Sequence, residues 1–192
     1  MSVLSDLTAF STPGRERRVT VIQGDFAVNG EDGLVLTTVL GSCVAVCLYD
    51  PYAMISGMNH FLLAEPLPGH DIDPSALERY GAFAMEQLIN GMIKRGATRK
   101  SMRAHIYGGA SMRGAMGDIG KSNAIFARNF LDCDQIMVVR EDVGDAIARR
   151  IEMRARSGQI KCSHVPVSNA MKIATFNRDI NPIRDGGDVD LF

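Results

Sequence analysis

From Gly33 to Tyr49 the chain carries no charge, and from Gly33 to Ala64 its only charged side chain is Asp50. So long an uncharged stretch must be buried, either in a bilayer or at the centre of a folded domain. Asp50-Pro51 interrupts the run, and Thr37, Thr38, Gly41 and Ser42 sit inside it, leaving less than the ~18 apolar residues a spanning helix needs. The run therefore reads as buried strands. Segments 44–49 and 55–63 flank Asp50-Pro51-Tyr52-Ala53, whose Pro suits the first central position of a type I turn, so they are expected to pair as a hairpin.

Around this hairpin the punctuation is regular. Segments 19–22, 25–28 and 34–39 are short, mostly rich in β-branched residues and bounded by Gly or Asn, and are predicted to be strands. Asp73-Pro74 offers an N-cap with Pro at the first helical position. Leu77, Gly81, Met85, Leu88 and Met92 then recur at helical spacing, so a helix over 74–95 closed by Gly96 is expected. A strand at 105–107 runs into Gly108-Gly109, a second helix covers 122–131, and a strand covers 135–140. Segments 150–154 and 159–164 flank Ser157-Gly158 as a late hairpin. Strands, helix, strand, helix, strands make an α/β (α+β) layer fold with a mixed, largely antiparallel β core and two flanking helices. With 192 residues one domain is expected, over 18–165, with 1–17 as a flexible lead-in and 166–192 as an exposed tail.

Composition narrows the function. With 46% hydrophobic and 22% charged residues the chain is ordinary for a globular domain, which excludes disorder and coiled coil for the whole. A net charge of −1 provides no positive field for a polyphosphate, so no nucleic-acid partner is expected. Cys43, Cys47, Cys133 and Cys162 are too few and too irregularly spaced for a disulfide scaffold and read as reduced cytoplasmic thiols. The arginines near the N-terminus follow the weakly apolar stretch instead of preceding it, the wrong order for a signal peptide.

Cys43 follows Gly41-Ser42 at a corner between two buried strands, where a thiol can be presented as a nucleophile. Alone it is better explained as a small buried hydrophobe. His60 falls in the partner strand of the hairpin, and a turn centred on 50–53 sets the two residues nearly opposite, with Cβ atoms roughly 5 Å apart. A Cys and His pair needs a third group to fix the imidazole tautomer, and Thr37 or Thr38 can serve. Three further patterns are weaker. Cys43, Cys47, His60 and His70 sketch a metal site without the paired spacing of one. Gly120-Lys121-Ser122 ends like a phosphate loop, but Ala115 stands where its first Gly belongs. The eleven Met residues read as core filler.

Four blocks together resemble the chemoreceptor glutamine deamidase family CheD. They are Leu40-Gly41-Ser42-Cys43 running through Asp50-Pro51, Gly57-Met58-Asn59-His60-Phe61-Leu62-Leu63, Arg79-Tyr80-Gly81 and Tyr107-Gly108-Gly109-Ala110. Ile119-Gly120-Lys121-Ser122-Asn123 is similar to that family's Ile-Gly-x-x-Asn element and accounts for the phosphate-loop echo. The chain departs from the pattern at Asp142-Val143-Gly144-Asp145 and Ala148-Arg149, where the family tends to carry Asp-Leu-Gly-Gly and Gly-Arg. The family also resembles the catalytic domain of the cytotoxic necrotizing factor toxins.

The resemblance implies a cytoplasmic hydrolase that converts glutamine side chains of methyl-accepting chemotaxis receptors to glutamate, with no cofactor and no metal. It implies a triad of Cys43, His60 and Thr37, because the family's threonine lies six residues before its cysteine, and a phosphatase CheC as partner where one exists. Two rivals stand beside it. One is a non-catalytic adaptor for receptors or for such a phosphatase. The other is a thiol redox protein pairing Cys43 with Cys47, which lie about 13 Å apart along a strand, too far for a disulfide.

Overall fold

The computed structural model describes residues 16–63, 74–111 and 117–166. Its elements run β1 (Arg17–Thr20), β2 (Phe26–Asn29), β3 (Leu34–Leu40), β4 (Val44–Asp50), β5 (Ile55–Asn59), α1 (Pro74–Ile93), β6 (Arg103–Gly108), α2 (Gly117–Cys133), β7 (Met137–Val143), β8 (Ala148–Arg154) and β9 (Ile160–Val165). The strands form two sheets, one of four in the order β1-β3-β8-β9 and one of five in the order β2-β5-β4-β6-β7. Among the described residues only β1 with β3 and β6 with β7 pair in parallel. The fold is the α+β layer arrangement with a largely antiparallel core that the sequence predicts. The expected lead-in, tail, His70 and the Asp73 cap lie wholly or largely outside the described residues.

Three layers result. Met85, Leu88 and Met92 of α1 and Ala127 and Leu131 of α2 cover one face of the five-stranded sheet, against Val44, Val46, Leu48 and Ile106. The other face, with Ala45, Cys47, Met58 and Tyr107, packs on Leu36, Leu40, Ile151 and Met153 of the four-stranded sheet. β4 is buried on both faces, which is why its segment reads as a continuous apolar run and not as an alternation.

The β4–β5 hairpin forms as expected, with Asp50 opposite Ile55. Asp50 is fully buried. One of its oxygens accepts the N–H groups of Tyr52 (2.9 Å) and Ala53 (3.0 Å), the other the N–H of Thr98 (3.0 Å) and the Ser101 hydroxyl. Burial alone would raise its pKa, but these hydrogen bonds outweigh that and hold the carboxyl below its ordinary range. α1 ends at Ile93, two residues short of the expected span, and Gly96 closes it as predicted. Gly96, at φ 97°, bonds to the Ile93 carbonyl while the Ala97 N–H reaches Met92 O, the paired closure that glycine permits after a helix.

α2 begins five residues earlier than its periodicity suggests. Gly117 and Gly120 weaken the helical signal there, and the Gly120-Lys121-Ser122 segment lies inside the helix, so no phosphate-cradling loop exists at that point. Gly120 is needed because α2 rests on the Gly109 loop. A Cβ on Gly120 would sit 2.4 Å from Gly109 O, and one on Gly109 would sit 2.5 Å from Gly120 O.

Candidate active site

Gly41-Ser42-Cys43 joins the end of β3 to the start of β4, and so carries the chain from one sheet to the other. Cys43 is half-buried at that crossing. Two backbone bonds and one side chain hold the corner. Gly109 N–H bonds to Cys43 O (2.7 Å), Ala110 N–H to Gly41 O (2.8 Å), and the Asn123 amide to Ser42 O (2.9 Å). Gly108, at φ 106°, passes so close that a Cβ would lie 2.2 Å from Cys43 O. The glycine loop after β6 is thus a packing surface for the Cys43 corner. Asn123 is fully buried, and its other end accepts Leu63 N–H (2.8 Å), fixing the chain just beyond His60.

Past the end of β5, Val44 and Phe61 exchange two backbone bonds of 2.9 Å, and Cys47 faces Met58. In that register Cys43 stands opposite Leu62 and His60 opposite Ala45. Cys43, which packs on the inter-sheet core, and His60 therefore share a face as diagonal neighbours, and are not directly opposite as the turn-centred count predicts. The four-residue connection 51–54 pairs Asp50 with Ile55, which shifts the register by two residues and so preserves the shared face.

His60 is buried between the sheets, its backbone held by Gly24 N–H on its carbonyl (2.8 Å) and by Asp25 O on its N–H (3.1 Å). Its Nδ1 lies 2.9 Å from Thr38 Oγ1 and 3.4 Å from Val21 O, and Thr38 Oγ1 lies 2.7 Å from the same carbonyl. A hydroxyl has one hydrogen. With Thr38 donating it to Val21 O, Thr38 Oγ1 is left to accept, so Nδ1 carries the imidazole proton. Nε2 then has the lone pair, and it is the one buried side-chain polar atom among the described residues with no hydrogen-bond partner. Burial, offset only in part by the Val21 carbonyl, lowers the His60 pKa to about 4, so the ring is neutral at neutral pH.

The threonine at this histidine is Thr38, not Thr37. Thr38 pairs with inward-facing Ile151, whereas Thr37 pairs with Glu152 and Thr20 and points to the opposite side of the sheet. Counting back from the cysteine selects the wrong one. The alternation in β3 is the better signal, since Leu34, Leu36 and Leu40 all belong to the inter-sheet core and Thr38 shares their parity.

Gln23 is a further neighbour that no sequence motif marks. Its amide oxygen lies 3.5 Å from Cys43 Sγ, on the same 21–25 segment that supplies the Val21 carbonyl. Cys47 lies fully buried on β4, and burial pushes its thiol pKa up, which disfavours it as a resolving partner for Cys43.

A family model described as CheD chemotactic sensory transduction matches residues 62–164. A probable chemoreceptor glutamine deamidase CheD of Zymomonas mobilis is 54% identical over 149 residues, 78% of this chain and 81% of that protein. The chain belongs to the CheD family. A second CheD protein of the same description, from Caulobacter vibrioides, is 43% identical over 181 residues, 94% of this chain and 96% of that one. Among solved structures, the hypothetical protein YfiH of Bacillus licheniformis aligns at a TM-score of 0.43 and 15% identity, over 64% of this chain and 51% of that one, too loosely to argue from.

Two CheD elements gain a physical role here. Ile119 to Asn123 is the first part of α2 that seats on Gly109 and clamps the corner. Asp142 and Arg149, on either side of the departure from the CheD pattern, form an ion pair (Nε to Oδ1, 2.8 Å) whose Arg149 is fully buried and also donates to Gly144 O and Ile147 O. The altered residues lie between the partners, and the pair survives the change. Among the described residues no helix is long and apolar enough to cross a membrane.

Proposed function

We propose that this chain is a protein-glutamine deamidase acting on chemoreceptor glutamines, with Cys43 as nucleophile, His60 as general base and acid, and Thr38 as the residue that orients the imidazole. The observation that carries the reading is the buried His60, its Nδ1 engaged by Thr38 and its Nε2 unpartnered, on the face it shares with Cys43. The names of its CheD relatives supply the substrate class.

In the proposed cycle Cys43 gives its thiol proton to His60 Nε2, and the thiolate attacks the carboxamide carbon of the glutamine. The oxyanion that forms is stabilised by backbone N–H groups of the Ser42-Cys43 corner, which Asn123 and the Gly109 loop hold in place. His60 then protonates the departing ammonia, leaving a thioester on Cys43. A water molecule, deprotonated by His60, attacks the thioester and returns the thiol and a glutamate side chain. The balance is amide plus water to carboxylic acid plus ammonia, which calls for no redox partner. We further place the protein in the cytoplasm, where the receptor helices carrying such glutamines lie, with a CheC-like phosphatase as a second partner, and assign the activity to residues 18–165.

The test is incubation of the protein and a Cys43→Ala variant with receptor cytoplasmic fragments, followed by peptide mass spectrometry. Conversion of Gln to Glu, a gain of one mass unit, is expected with the unaltered protein alone. Binding without conversion, by folded protein tried on several receptors from its own source, would move the assignment to an adaptor.

A further inference from the structure

Away from Cys43, three side chains converge at the open edges of the two sheets. Cys162 and His164 alternate on β9, the last strand of the four-stranded sheet, and Asp142 lies on β7, the last strand of the five-stranded one. Asp142 Oδ2 is 3.5 Å from Cys162 Sγ and 3.6 Å from His164 Nε2, and all three atoms lie within 4.8 Å of one another. Tetrahedral zinc, with bonds of about 2.0–2.3 Å, holds its ligand atoms roughly 3.3–3.6 Å apart. Two of the three separations already have that value.

The residue types fit as well. Thiolate, imidazole and carboxylate are the zinc ligand set, and the other carboxylate oxygen is occupied by Arg149 Nε at 2.8 Å, the outer contact that orients a ligating carboxylate. Arg149 Nη1 is further tied to Gly144 O and Ile147 O, so its N–H groups there are not spent on Oδ2. His164, with 58% of its side chain exposed, leaves an entry path from solvent.

We propose that Asp142 Oδ2, Cys162 Sγ and His164 Nε2 form a zinc site, with water in the fourth position, that staples β9 to β7. On binding, Cys162 releases its thiol proton to solvent and forms a Zn–S bond. Three protein ligands and a water leave the site open on its solvent side, and the part it plays in the fold is that of a brace. It braces the turn after β7, whose Gly144 N–H bonds to Gly108 O and whose Asp145 O receives Ser111 N–H, directly beside the glycine loop that holds Cys43. It is independent of the deamidase assignment.

Full-length protein stripped with chelator and titrated with Co(II), then Zn(II), tests this. One metal per chain is expected, with a thiolate-to-cobalt charge-transfer band that persists in Cys43→Ala and disappears in Cys162→Ser. Zn(II) at a hundredfold excess over Kd should raise Tm by roughly 5 °C or more, and His164→Ala should lose more than about tenfold in affinity. Alkylation mapped by mass spectrometry on the unaltered protein decides the matter even if a variant does not fold, because zinc should shield Cys162 and not the exposed Cys133. No binding by the folded protein, a band that survives Cys162→Ser, a band lost in Cys43→Ala, or no shielding of Cys162 would each overturn the site and leave the trio a hydrogen-bonded cluster.

Discussion

Thr38 and Thr37 are adjacent in sequence and differ in one respect, the side of β3 they face, so they separate catalytic orientation from strand chemistry. Thr38→Val removes the acceptor that fixes the Nδ1–H tautomer and leaves the Val21 carbonyl without its hydroxyl donor. A fall in kcat of roughly 10²-fold or more and a loss of about 1–3 kcal/mol in stability are expected, whereas Thr37→Val should leave kcat within about twofold by the same assay. Equal effects of the two substitutions on steady-state deamidation would refute the assignment of Thr38.

His60 makes a second prediction at this scale, through its pKa of about 4 against an ordinary 6.5. The fold favours the neutral ring, so as pH falls below 6.5 the unfolded chain takes up a proton first. Native stability therefore declines from about 6.5 down to about 4, where the loss is complete. Urea midpoints measured across that window should fall with pH in the unaltered protein and less steeply in His60→Gln. The acid limb of kcat/KM assigned to His60 should sit near 4, and an inflection near 6.5 would show a solvated, unburied imidazole.

At the scale of elements, the corner that carries Cys43 depends on α2 lying against a glycine loop. Gly120→Ala would gain up to about 1 kcal/mol of helix propensity, yet its Cβ would meet a backbone oxygen at 2.4 Å, which no rotamer change relieves. The crowding term, about 1–3 kcal/mol, exceeds the gain, so a lower urea midpoint and a lower kcat are expected together. Asn123→Ala leaves Ser42 O and Leu63 N–H without their side-chain partner. It should reduce kcat more than about tenfold with a small change in KM, the signature of a misplaced nucleophile rather than a lost substrate contact. A KM effect alone would indicate that Asn123 touches the substrate.

Much of this was legible in the sequence wherever the signal is local. Gly, Asn and Pro punctuate the strands, and the Asp50-Pro51 turn marks the hairpin that brings Cys43 and His60 to one face. What lies beyond such reading is non-local. Nothing in β3 states that its neighbours are β1 in parallel and β8 over a hundred residues later, and without that pairing the inward side of β3, hence the choice between the two threonines, rests on alternation alone. Asn123 hides for a similar reason, since an asparagine within a helix carries no mark of the distant carbonyl it will meet.

Across the whole molecule, the two sheets are joined by the Gly41-Ser42-Cys43 crossing and, beside it, by Asp142 on β7 and Arg149 on β8, the latter paired with Leu40 at the end of β3. Exposed ion pairs contribute little, but this one leaves a guanidinium with 1% exposure, and removing its partner strands a buried charge. Asp142→Asn should therefore destabilise the protein by about 3–5 kcal/mol in urea unfolding, far more than loss of the exposed Arg17–Glu31 pair through Glu31→Gln, at about 0–1 kcal/mol. Comparable losses would show that Arg149 reaches water.

The place of β3 between β1 and β8 also has a consequence in time. During synthesis Thr38 and His60 both leave the ribosome long before residues 148–154, so the strand carrying Thr38 waits with one edge unsatisfied until nearly the whole domain is made. Long-range antiparallel closure of this kind belongs to the slow, millisecond-to-second class of folding. A nascent or prematurely terminated chain would thus already contain the cysteine, the histidine and the threonine yet lack the ordered sheet that sets them against one another. Catalytic competence comes as the last strands dock.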